Sequence, residues 1–211
     1  MKPKDLISIN IEKTLLEPLT QLGFTFSKST LTFKRKVSEF VQTITFHLNK
    51  YNQENVCAEF WTSFGVSSKE YSKWYMAEFG KKPVNISLGG EMDWNIKGWE
   101  FAIIDNKRES HCQIIDEKER EYVLEVLKKN ILNIGIPFLN NLSNWENAAY
   151  NLVENEWFHE KASDFFMIAG DNEKALWALE QGIDFWKRKP NAAFPHSKDE
   201  IYIRLSKYFA Q

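Results

Sequence analysis

The sequence is poor in most of the features that would announce a specialised class. Cysteine is scarce: Cys57 and Cys112 are the two present in 211 residues. Two thiols so far apart do not staple a fold, and free cysteine is among the most buried residue types, so both read as buried thiols. Neither sign of charge is in excess. There are 27 Lys and Arg against 29 Asp and Glu, a net charge of −2. Without clustered basic residues, nucleic acid is excluded as a partner held by general phosphate attraction. No apolar run reaches the ~18 residues that would span a membrane. The opening residues, Met1 to Leu16, interleave charge with apolar residues. Asp5 and Glu12 interrupt any signal-peptide-like core, so a cytoplasmic protein is expected. In that setting the acceptor-like tripeptides at Asn85 and Asn141 carry no meaning. Disorder is excluded as well, because 43% of the chain is apolar and the charge nearly cancels.

What the chain does have is aromatic residues, eight Trp and sixteen Phe among them. A chain of this length buries roughly 70% of its unfolded surface, so these residues have a core to fill. Ile11, Leu15, Leu19 and Leu22 line one helical face over residues 5–22, and Gly23 stands where that helix stops. Pro18 falls inside the pattern and must kink the helix or start a second segment. Apolar residues then alternate with period two through Leu31–Phe33, Phe40–Leu48 and Val56–Phe64, the pattern of half-buried strands in an antiparallel meander. A turn centred on Gln53 keeps the apolar residues of the last two strands on one face. It sets His47 opposite Glu59 and Thr45 opposite Trp61.

Ser67 and Glu70 form a capping box for a helix over 68–79, closed by Gly80 and Pro83. Extended stretches are predicted at Val84–Leu88 and Trp99–Ile104, with Gly89-Gly90 breaking the chain between them. From Asp116 onward the sequence is helical. A long helix ends at Gly135-Ile136-Pro137, and others fall near 144–154, 157–169, 172–188 and 198–209. The last carries Ile201, Ile203, Leu205 and Tyr208 as its apolar stripe, after a loop bracketed by Pro190 and Pro195. The spacing of Phe166, Gly170, Ala175 and Leu179 suits one helical hairpin and not a repeat array, since no second copy follows about 34 residues on. The fold class is therefore α+β: an N-terminal helix, an antiparallel meander with covering helices, and an all-helical C-terminal extension. An α+β domain over 1–142, with a helical subdomain over 143–211 packed on it, is the expected division. Residues 1–142 hold 19 basic and 18 acidic residues and the remainder 8 and 11, so neither part calls for a polyanion.

Chemistry-bearing patterns are few. No nucleophile elbow, zinc-type spacing or phosphate-binding glycine pattern occurs, so no metal and no cofactor are expected. His47, His111, His159 and His196 stand in no common motif. His111 and Cys112 are neighbours, and on a strand they would face opposite ways. The polar face of the sheet brings together Thr43, Thr45, His47, Glu59, Trp61 and Ser63. A His beside a carboxylate can act as a general acid–base pair, so His47 with Glu59 is the first enzymatic candidate. Such a pair is more commonly an ordinary cross-strand contact. Glu91 and Asp93, with Trp94 and Trp99 around a glycine-rich break, make a second candidate of the paired-carboxylate type. The bland alternative has both Trp packing under a loop. As binding residues, Trp61, Trp94, Trp99 and Asp93 are singled out, Trp61 as an anchor on a shallow face.

The run Leu22-Gly23-Phe24, the pair Phe33-x-Arg35 and the strand Val41–Leu48 resemble the opening of a family of bacterial domains of unknown function. There a Leu-Gly-Phe stop and an aromatic-x-Arg strand lead into a strand rich in Val, Ile and Gln. Trp94 to Trp99, followed by an extended stretch and a long helix ending near Pro137-Phe138-Leu139, is similar to that family's second half. The resemblance covers about residues 5–140. The family resembles immunity proteins of bacterial toxin systems in size and style, which implies a non-enzymatic, protein-binding role with a toxin-like partner. The competing expectation is a hydrolase-type enzyme built on one of the two carboxylate sites.

Overall fold

A computed structural model describes residues 1–104, 107–108, 111–191 and 198–210. Pro195 and His196 lie outside these residues. The chain groups into two compact units, Met1–Ser67 with Gly90–Asn140 and Ser68–Gly89 with Asn141–Gln211. The segment 68–89, which the sequence reading sets within 1–142, falls in the second unit.

The first unit opens on helix α1 (Pro3–Gln21). It runs through Pro18 as one element, so no second segment starts there. Ile7, Ile11, Leu15 and Leu19 are all fully buried along one face, and tertiary packing of such a face outweighs the ~3 kcal/mol a helical proline costs. The helix ends in a Schellman motif. Gly23 has a φ of 86°, Gly23 N donates to Thr20 O, and Phe24 N donates to Leu19 O.

Strands β1 (Thr25–Ser27), β2 (Thr32–Val37), β3 (Phe40–Leu48), β4 (Glu59–Ser68) and β5 (Ser87–Met92) follow, and they lie in the sheet in chain order. The two-residue strands β6 (Ile103–Ile104) and β7 (Lys107–Arg108) pair with each other, and β8 (Cys112–Gln113) pairs with β4. The alternation read from the sequence holds: along β3 and β4 buried residues alternate with half-buried ones. Phe26, Phe33, Phe46 and Phe60 form a chain of ring contacts 4.5–6.2 Å apart between centroids.

Gly89 and Gly90 do not break the chain; both lie inside β5. A Cβ on Gly90 would come 2.5 Å from the carbonyl oxygen of Phe64, so glycine is what lets β5 lie close to β4. Helix α3 (Glu117–Asn130) packs against α1 and β8. Gly135 does not end it. A π-helical turn, Ile131–Gly135, leads straight into α4 (Ile136–Leu142). Pro137 cannot donate to the carbonyl four residues back, and the widened turn precedes the place where its ring would crowd the ladder.

The residues that carry the family resemblance meet in space. The Arg35 guanidinium donates to Leu22 O at 2.8 Å, to Gln42 Oε1 at 2.7 Å and to Asn140 Oδ1 at 2.6 Å. Its plane lies 4.6 Å from the centre of the Phe24 ring. Gln42, fully buried, passes the link on to Leu139 O.

In the second unit, α2 (Lys69–Phe79) is capped by Ser68, whose hydroxyl accepts from Glu70 N. The capping residue is thus Ser68 and not Ser67, because β4 continues one residue further than its capping pattern suggests. Helices α5 (Trp145–Glu154), α6 (His159–Ala169), α7 (Asn172–Arg188) and α8 (Lys198–Arg204) complete the unit, α6 packing between α5 and α7. The predicted stripe on the last helix is corrected: Ile203 is exposed, and Arg204 is buried beside Ile201. Arg204 makes a two-pronged ion pair with Asp164, Nε to Oδ1 at 2.7 Å and Nη2 to Oδ2 at 2.8 Å. Tyr71 donates its hydroxyl to the same carboxylate. Among the described residues no helix is long and apolar enough to cross a membrane.

Candidate functional site

The polar face of the sheet carries the candidate site, which lies wholly in the first unit. Strand parity sets His47, Trp61 and Ser63 on this face, all half-buried. The register differs from the predicted one by two residues. Asn49 N donates to Glu59 O, so Asn49 and not His47 faces Glu59. The loop from Tyr51 to Cys57 has its own bridge, Gln53 to Cys57, and closes the hairpin off-centre from the predicted turn. Because a slip of two conserves the face, the residues on it are those expected while their partners change.

Those partners reshape the site. His47 stacks on Trp61, with ring centres 6.2 Å apart and planes 18° apart. His47 Nε2 and Ser63 Oγ share a hydrogen bond of 2.7 Å. Partial burial holds the imidazole below its ordinary pKa, because desolvation disfavours the charged form. Glu59 instead accepts from Asn49 Nδ2 at 2.6 Å. The predicted His47–Glu59 pair is therefore not formed.

Trp94 stands on a single helical turn, Asp93–Asn95, directly after β5. Its ring meets Trp61 edge to face at 6.3 Å, and it is 47% exposed. His111, just before β8, meets another edge of Trp61 at 6.0 Å. Four rings, two indoles and two imidazoles, thus centre on Trp61. The sequence placed His47 and Trp61 together and grouped Trp94 separately. It gave no reason to bring His111 in, since β8 is too short to show a period. Trp99 does not belong to this cluster. It is 5% exposed and packs on Phe64 at 5.4 Å, as core.

Asp93 lies beneath the rings, fully buried. Its Oδ2 accepts from Thr62 N at 2.7 Å and its Oδ1 from Trp94 N at 2.9 Å. Burial raises its pKa to about 6, against the opposing pull of those two backbone donors and of the His111 charge. Thr62 lies on β4 between Phe60, which pairs with Cys112 of β8, and Phe64, which β5 approaches. The carboxylate occupies the ladder position between the two strands. Glu91, the other half of the predicted carboxylate pair, accepts from Met92 N and Asn95 Nδ2 in its own turn. Cys112 is a buried thiol whose pKa burial pushes far above the ordinary value. Among the described residues no three His, Cys, Asp or Glu side chains are arranged to hold a metal ion.

A family described as "Domain of unknown function (DUF4304)" matches residues 15–141. The chain belongs to that family. The matched span holds the Arg35 clasp and the whole ring cluster, and it leaves out the helices from α5 onward. No curated protein and no solved structure matches the chain.

Proposed function

We propose that this chain is a non-enzymatic, protein-binding module of the immunity type, working in a bacterial cytoplasm on a toxin-like partner. The observation that carries this reading is Trp94, half exposed on top of Trp61 and flanked by His47 and His111. An indole held at a surface by rings beneath it offers large contact area at little entropic cost, the usual make-up of an interface anchor. The proposed contact residues are Trp94 and Trp61, with Asp93 as a positioning group that fixes the turn bearing Trp94. Trp99 serves as packing.

A hydrolase-type reading has one observation in its favour, the His47–Ser63 hydrogen bond. A nucleophile–base pair also needs a third group to orient the imidazole. Among the described residues His47 has Ser63 and Trp61 as neighbours and no carboxylate, so binding is the better reading.

The test is co-expression and titration calorimetry with the product of the adjacent gene. Trp94→Ala is expected to weaken complex formation by about 2 kcal/mol or more, as for an interface anchor, and to remove protection. If no neighbouring product binds, and none is toxic alone, the immunity reading fails. Turnover of an ester substrate that Ser63→Ala abolishes would establish the hydrolase instead.

A further inference from the structure

The second unit contains a cleft that the reading above does not use. It has a volume of about 340 Å³ and is lined by Tyr71, Tyr75, Val84, Phe158, Glu160 and Lys161 among others. This is within the size range of small-molecule sites. Tyr71, Tyr75 and Phe158 give it an aromatic wall, and Val84 sits fully exposed at its rim.

Lys161 lines the cleft beside Asn85, Glu160, Glu200 and Arg204, and it is 9% exposed. Its ammonium lies 5.3 Å from the centre of the Tyr71 ring, 5.7 Å from Phe158 and 5.8 Å from Phe165. Its one hydrogen bond goes to Asn85 Oδ1 at 2.7 Å. Among the described residues it forms no ion pair, although an ammonium has three N–H groups to give. Buried lysines are normally paired. Burial lowers its pKa to about 8, against the raising influence of Glu160 and Asp164. The other cation of the cleft, Arg204, is held by Asp164 and Glu200, and Glu200 also pairs with Lys81 at 3.6 Å. Lys161 opens the first turn of α6. That helix begins at Phe158, a bulky residue held at φ 46°, ψ 51° with no side-chain cap. The positive end of the helix thus adds to the lysine charge.

We propose that this cleft binds a small monocarboxylic acid with an apolar body. The carboxylate sits on Lys161 Nζ and supplies its missing ion pair, and the body lies against Tyr71, Tyr75 and Phe158. Arg204, the other cation lining the cleft, is already held by Asp164 and Glu200, so a second carboxylate on the ligand finds no cation left to pair with there among the described residues. The site selects one carboxylate and rejects two. This proposal is independent of the protein-binding reading, because none of its residues lies on the ring cluster.

The experiment is calorimetric titration of the full chain with hexanoate, hexanamide and adipate at neutral pH. Hexanoate is expected to bind, with hexanamide and adipate each weaker by about tenfold or more, the scale of one charge-assisted contact. Lys161→Met is expected to erase the difference between hexanoate and hexanamide. Asn85→Asp places a carboxylate of the protein on Nζ, and should lower hexanoate affinity about tenfold without unfolding the chain. Hexanoate that does not bind at up to about 10 mM, a very weak interaction, overturns the proposal. So does binding no tighter than that of hexanamide, or binding indifferent to Asn85→Asp.

Discussion

Asp93 shows how one side chain can serve a site without taking part in chemistry. It joins β4 to the turn bearing Trp94, and it does so from a position with no access to water. An unfolded aspartate titrates near pH 3.9, whereas burial raises Asp93 to about 6. A carboxyl group whose pKa is raised by folding stabilises the fold most below its unfolded value. That contribution is lost as the pH climbs through about 6, a loss of at most about 3 kcal/mol. In urea unfolding followed from about pH 4 to pH 7, the native chain should therefore lose stability relative to Asp93→Asn over this window. A stability difference between the native chain and Asp93→Asn that does not change with pH, or that moves in the native chain's favour as the pH rises, would contradict the assignment. At this scale the sequence was half legible. Parity alone set His47, Trp61 and Ser63 on one face, because the strand period is insensitive to what lies opposite. Which residue met which depended on a loop from Tyr51 to Cys57 with no recognisable turn chemistry, and the predicted His47–Glu59 pair was lost there. Trp99 carried no periodic context, so nothing separated a core indole from an exposed one.

Arg35 acts between elements. A single guanidinium ties the C-terminal end of α1 to β2, to the buried amide of Gln42 on β3, and to Asn140 on α4. Arg35→Ala leaves the Leu22 carbonyl and the Gln42 side chain without their donor, and is expected to lower stability by about 1–3 kcal/mol in urea unfolding. Arg35→Lys should recover little of it, because a compact ammonium cannot reproduce a planar fork that reaches three acceptors. The short motifs that suggested a family are thus a structural clasp. Helices and long strands were readable where a period ran for several turns, as in α1, β3, β4 and α7. Readings failed where glycine or proline carried a second meaning. Gly89-Gly90 marks a close approach between strands, and Gly135 lies in a widened helical turn that admits Pro137. Neither use differs in sequence from an ordinary break.

Across the whole molecule the division into two units is the least legible feature, since residues 68–89 join helices more than fifty positions further on. The key to that second unit is Arg204, 2% exposed and hidden in a stripe that reads as apolar. Its guanidinium pairs with Asp164 on α6, and the same carboxylate accepts from Tyr71 on α2, so three helices meet at one carboxylate. Arg204→Ala strands a buried carboxylate and is expected to cost about 3–5 kcal/mol. Arg204→Met combined with Asp164→Leu should cost less than the single change, because the stranded charge is gone. Thermal unfolding of the two variants distinguishes a pair that matters through its charges from one that only fills space.

The carboxylate that fills the ladder beside Thr62 also limits how another chain could approach this strand. An unfilled donor on a strand invites another chain to add itself as a further strand, by the backbone and with little regard for sequence. Asp93 takes up that donor with an oxygen that cannot be extended into a strand. Association along this flank of β4 is therefore blocked where it would otherwise be least selective, and the proposed protein-binding role then rests on the surface above, where side chains would decide which partner fits.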